Sequence, residues 1–242
     1  EITFGARLGG VEETVERARL SEELGYDFVS SGEHFMSGHT SSAHTILPVL
    51  AVAAGATKRI RLLSAILFLP MYHPTMVAKL TTTLDIASGG RLTLGVGVGG
   101  EVPTDFSSLG LSSKDRGART NESLALLRRL YTEEHVTHRG RFFPLEDITL
   151  KPSSIQTPHP PIWVAGRRDA AIRRAARYGD GWLPYFYNPE RYRNSVAKIK
   201  EEAATVGRDI SHFQWAYYSF IAITDTVEEG ARVAGQRLAQ SY

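Results

Sequence analysis

The chain has 242 residues, long for a single antiparallel domain and about right for most of one α/β barrel. Its 28 basic and 26 acidic residues leave a net charge of +2 and are spread along the chain, so no basic arm points to nucleic acid. Cysteine is absent, which excludes disulfides, thiolate metal sites and a cysteine nucleophile. The longest apolar runs fall short of the roughly 18 residues that span a bilayer, and no secretory leader is visible, so a cytoplasmic protein is expected.

Strand and helix patterns alternate from the start. Residues 2–8 read as a short strand, and 11–24 as an amphipathic helix stopped by Gly25. A strand over 26–31 precedes a helical run over 43–56. Residues 60–69 are apolar and rich in branched side chains, the pattern of a strand buried on both faces. Pro74 opens the next helix and Gly89-Gly90 ends it. A strand over 92–96 and a long helix over 116–131 follow. Further strands are expected over 162–165, 181–184 and 213–223, with helices over 170–178, 189–206 and 226–240.

Seven strand–helix units in series imply a parallel sheet with right-handed crossovers. They fit a (β/α)8 TIM barrel, as one domain over 1–242, better than an open doubly wound sheet. The chain is expected to lack the last strand–helix unit. Residues 133–161 interrupt the alternation and read as an insertion between the fourth helix and the fifth strand, with Arg139-Gly140 as a turn between two short strands.

In such a barrel the carboxyl ends of the strands form the active-site face, which places Glu33 and His34 there. The run LGVGVGG contains a formal G-x-G-x-x-G at Gly95, Gly97 and Gly100. It lacks the helix that a dinucleotide fingerprint requires: Pro103 intervenes and no helix is expected before Arg116. Without Cβ atoms, these glycines would let a flat ligand approach the backbone. After Gly166, Arg167 and Arg168 precede a helix start, an arrangement that favours a phosphate. His39 and His44, and likewise His135 and His138, lack the acid partners and spacing of a metal site, so no metal is expected.

Taken together, SSGEHF, LLSAILFLPMYHPTMVAKLTTTLDIASGGRLTLGVGVGG, RGARTNESLALLRRLYTEE with GRFF, and PHPPIWVAG with AARYGDGWLP resemble the bacterial luciferase-like superfamily of flavin- and deazaflavin-dependent oxidoreductases. The resemblance runs over nearly the whole chain. It implies a (β/α)8 barrel with an insertion, a homodimer, and a cofactor, coenzyme F-420 or FMN, at the mouth. It implies His34 as the acid or base beside the reactive ring, with Glu33 orienting it or pairing elsewhere, and a cis peptide at Ala65-Ile66 under the ring. It further implies a cofactor phosphate near Val98, Gly99, Gly166, Arg167 and Arg168. Trp182 and Tyr185, just after the sixth strand, are placed at an apolar substrate pocket, with core packing as the equal alternative for Trp182. Two departures stand out: Val98 occupies the place of the luciferase phosphate arginine, and Gly166-Arg167 replaces a glutamate–serine pair. The glycine-rich loop leans toward the deazaflavin branch, hence hydride transfer to or from a small organic substrate. An FMNH2-dependent oxygenase is the alternative, and a non-catalytic flavin-binding homologue the second.

Overall fold

Short apolar segments buried on both faces lie side by side in one parallel sheet, with amphipathic helices returning the chain between them. The computed structural model describes residues 2–35, 44–100 and 102–241. The strands are β1 (Gly5–Arg7), β2 (Phe28–Ser31), β3 (Arg61–Ser64), β4 (Leu67–Phe68), β5 (Leu92–Gly97), β8 (Ile162–Ala165), β9 (Gly181–Leu183) and β10 (Gln214–Trp215). Their order is β1-β2-β3-β5-β8-β9-β10, with β4 pairing β5, and every pairing is parallel. These are seven staves of a curled sheet, as expected from the sequence. Among the described residues β1 and β10 do not pair with each other.

The returning helices are α1 (Thr14–Glu23), α2 (Ile46–Ala56), α3 (Pro74–Ser88), α5 (Arg116–Thr132), α6 (Asp169–Tyr178), α7 (Pro189–Thr205) and α8 (Val227–Ser241). Their boundaries follow the expected chemistry. Pro74 fills the first position of α3, where no intrahelical N–H is needed, and Gly89 ends it in the left-handed region at φ 70°. The Asn188 side chain caps α7 by accepting the Arg191 N–H at 2.8 Å. No helix among the described residues is long and apolar enough to cross a membrane.

Side-chain alternation divides the sheet into two cores. Val29, Leu62, Leu92, Leu94, Val96, Ile162, Val164 and Trp182 face the helices. Phe28, Leu63, Trp163, Ala165 and Leu183 fill the lumen.

The insertion is a hairpin of β6 (Val136–His138) and β7 (Leu145–Ile148). Glu122 on α5 anchors it, accepting the N–H groups of Phe142 at 3.0 Å and Phe143 at 2.8 Å.

Three expectations change. The run over 60–69 is two strands, β3 and β4, separated by a cis peptide at Ala65-Ile66. The strand expected over 213–223 shrinks to β10. Its ladder runs only as long as its neighbour, since β9 ends before Pro184, and one isolated bridge, Tyr185 to Tyr218, lies beyond. Finally, a short helix does follow the glycine loop: α4 (Pro103–Ser107), with Pro103 at its start and Asp105 in its first turn, both favourable there. No dinucleotide fold results, because the chain from α4 continues into α5 and the insertion.

Candidate active site at the carboxyl ends of the strands

Neighbouring residues at a strand end point to opposite faces, and this separates Glu33 from His34. Glu33 keeps the outward sense of Val29 and is buried. Its carboxylate accepts the Phe68 N–H at 2.8 Å, the Tyr72 hydroxyl at 3.0 Å and the Ile46 N–H at 3.3 Å. Burial pushes its pKa above the ordinary carboxylate range, a nearby Asp105 adds to this, and the three donors oppose it. Burial, with the adjacent Glu33 carboxylate, likewise raises the Tyr72 phenol. Glu33 therefore ties the end of β2 to β4 and to the first turn of α2.

His34 keeps the inward sense of Phe28. Its side chain is 29% exposed, and its ring stands edge-on to Phe68 with centroids 5.5 Å apart. The acid beside its imidazole is Asp105, whose carboxylate lies 3.6 Å from Nδ1 and is 1% exposed. Residues 36–43, which include His39, lie outside the described residues.

The glycines of β5 and of the loop after it make close contacts within the protein. A Cβ on Gly95 would sit 2.0 Å from the Ser64 carbonyl oxygen, and one on Gly97 would sit 2.0 Å from Ile66 Cδ1. At Gly99, with φ 58°, a Cβ would meet the Phe68 ring at 3.1 Å. These positions are small because the β3–β4 segment, carrying Ala65 and Ile66, packs onto them. Gly100, at φ 99°, leaves room for Arg116, whose Nε would be 2.8 Å from a Cβ there. The half-buried Arg116 thus stands at Gly100 of the glycine loop, its Nη1 donating to the Ser113 carbonyl at 2.6 Å.

At β8, Gly166 has φ 124° and its carbonyl accepts the Trp182 Nε1–H at 3.0 Å. Trp182 is fully buried against Tyr187 and Tyr192, so it belongs to the core between sheet and α7. Arg167 turns toward the end of β9: its guanidinium lies 4.5 Å from the Tyr185 ring centroid and 5.7 Å from that of Phe186. Arg168 is exposed at the N-cap of α6. A cleft of about 390 Å³ opens between α6 and α7, but its bases are engaged, Lys198 with Asp169 and Arg191 with the Arg167 carbonyl.

His135 and His138 do have acid partners, Asp147 at 2.6 Å and Glu122 at 3.3 Å. The β6–β7 pairing brings them together across the hairpin and α5, which sequence spacing does not reveal. Each is a single pair rather than a set of three donors.

Asp105 and Arg116 are the residues that sequence reasoning missed. Their signals were present: Pro103 with an acid two residues later marks a helix start, and an arginine opens α5.

A curled parallel sheet with polar groups gathered at its carboxyl ends defines a barrel-type α/β enzyme scaffold. The chain belongs to the luciferase-like monooxygenase family, whose profile it matches over residues 4–242. It is 28% identical over 228 residues to the FMNH(2)-dependent dimethylsulfone monooxygenase of Pseudomonas putida, covering 93% of this chain and 61% of the relative. It is 35% identical over 172 residues to the F420-dependent glucose-6-phosphate dehydrogenase of Beutenbergia cavernae, covering 68% and 49%. The crystal structure of monooxygenase RslO1 from Streptomyces bottropensis superposes with a TM-score of 0.83 at 28% identity, over 99% of this chain and 77% of that one. The chain therefore spans about three fifths of the length of the first of these relatives.

Proposed function

We propose that this chain forms the cofactor-binding barrel of an oxidoreductase that works on a small organic substrate with a reduced flavin-type cofactor. The observation that carries this reading is the set of groups at one sheet end: His34 edge-on to Phe68, just past the Ala65-Ile66 bend, and Arg116 against Gly100. The fit to a phosphorylated cofactor rests on Arg116. Its guanidinium supplies at the glycine loop the positive charge that Val98 does not, and Gly166, Arg167 and Arg168 at the α6 start add N–H donors and charge.

When bound, the cofactor supplies the redox chemistry; the protein supplies orientation and electrostatics. His34 holds or gives a proton at its ring nitrogen facing the mouth. Glu33 keeps β2, β4 and α2 in register, and Ala65 and Ile66 form the apolar surface beside the histidine. Tyr185 and Arg167 border the substrate side.

We favour hydride transfer with coenzyme F-420, supported by the glycine-rich loop and by the identity to an F420-dependent dehydrogenase. Oxygenation with FMNH2 is the second reading, favoured by the longer match to an FMNH(2)-dependent monooxygenase. Side-by-side calorimetric titration with FMN and the deazaflavin cofactor decides between them, and binding of neither would overturn the cofactor assignment. We further expect a cytoplasmic homodimer with no nucleic-acid or membrane partner. The dimer is supported by the exposed apolar Val52 on α2 and Met76 and Leu80 on α3.

A further inference from the structure

His34 poses a problem of polar bookkeeping. Its Nδ1 is shut off from solvent and makes no hydrogen bond among the described residues, although buried polar atoms are almost always satisfied. The acid next to it in sequence is no help, because the Glu33 carboxylate faces away and accepts from Phe68, Ile46 and Tyr72. The acceptor within reach is the Asp105 carboxylate, 3.6 Å away and 1% exposed. That separation is beyond a formed hydrogen bond, but such contacts are often long before ligand fills a site.

We propose that Asp105 is the positioning residue of His34, holding the neutral imidazole as its Nδ1–H tautomer so that the Nε2 lone pair faces the mouth. A ring nitrogen that faces a carboxylate must carry the proton, and the other nitrogen is then the acceptor. Two elements fix the geometry. The inward turn of the residue after Glu33 puts the ring on the lumen side, with Nδ1 buried and facing Asp105. Pro103 starts α4 just after the glycine loop and delivers Asp105 under the ring. The Phe68 edge holds the imidazole plane from the side. Neutral His34 is thereby prepared to accept a proton at Nε2 in the first half of a reaction and return it in the second. This inference rests on the role proposed for His34, but the tautomer exists without any cofactor.

The test is long-range proton–nitrogen correlation of the uniformly 15N-labelled full chain without cofactor, at a pH where histidines are neutral. The His34 signals are assigned by their loss in His34→Gln. The Nδ1–H form is expected to dominate, whereas a free imidazole favours Nε2–H. In Asp105→Asn, the ratio should move toward Nε2–H by about tenfold or more, the scale of one charge-assisted hydrogen bond. A dominant Nε2–H tautomer in the parent protein overturns the proposal, and this readout stands even if the variant fails to fold. An unchanged ratio in a folded Asp105→Asn overturns it too. Parallel titration with FMN and the deazaflavin separates the two claims: loss of cofactor binding without loss of the tautomer refutes the cofactor reading alone.

Discussion

Glu33 and His34 are adjacent in the chain and opposite in duty, and substitution should separate them. His34→Ala removes a ring at the mouth and breaks no hydrogen bond among the described residues. It should leave stability nearly unchanged and cut turnover by roughly two orders of magnitude or more. Glu33→Gln keeps one acceptor oxygen and turns the other into a donor, so either the Phe68 N–H or the Ile46 N–H loses its acceptor. Its denaturation midpoint should fall by the equivalent of about 1–3 kcal/mol, the cost of leaving a buried donor unmade. The reverse pattern, a stable Glu33→Gln protein and an unfolded His34→Ala protein, would exchange the roles. Arg116→Ala should weaken binding of FMN or F-420 at least tenfold, as for one charge-assisted contact of about 1.5–3 kcal/mol, and leave riboflavin much less affected. Equal losses for FMN and riboflavin in calorimetry would remove Arg116 from the phosphate site.

At the scale of elements, β5 and the β3–β4 segment pack backbone to backbone. A Cβ on Gly95 would lie 2.0 Å from a main-chain oxygen, so Gly95→Ala forces strand against strand. It should destabilise the protein by about 1–3 kcal/mol in urea unfolding. Gly55, with nothing near its missing Cβ inside α2, should tolerate alanine or gain from it. Most of these elements were legible in the sequence because each carries a local signal: Pro74 and Gly89 around α3, branched residues in β3, and Asn188-Pro189 before α7. What stayed hidden depended on pairing across the fold. Residues 213–223 are rich in apolar side chains, and nothing in them tells that β9 gives out after Leu183. The glycines of β5 announced close approach, but not that Ile66 and Phe68 would be what approached. Likewise the place of His34 at the carboxyl end of β2 was legible from its position alone. Its acid was sought in Glu33, whereas Asp105 lies three strands further along the chain and meets the ring only once α4 has formed.

Across the whole molecule, the two ends of the strands do different work. The amino ends carry a half-buried charge network: Asp180 accepts Arg128 and Arg208, each at 3.0 Å, and the Ile162 N–H at 3.0 Å. His159 sits against it, stacked on Tyr131 and bonded to the Pro160 carbonyl at 2.9 Å. Burial holds its imidazole below the ordinary 6.5, outweighing the nearby Asp180 charge. The unfolded chain thus takes up this proton at a higher pH than the folded one. Stability from this group is present above about pH 6.5 and is lost as pH falls through the folded value, with a slope of at most about 1.4 kcal/mol per pH unit. His159→Gln, whose amide can still donate to Pro160, should flatten that part of the melting-temperature profile. An unchanged profile would locate the acid sensitivity elsewhere.

The carboxyl ends carry the proposed chemistry, and a crystal structure of the protein soaked with the cofactor that binds in titration tests that claim most directly. Density for the tricyclic ring is expected beside His34 and the Ala65-Ile66 bend, with the phosphate in contact with Arg116 and the turn after Gly166. A ring bound away from His34, or a phosphate seated between α6 and α7 with no contact to Arg116, would contradict it.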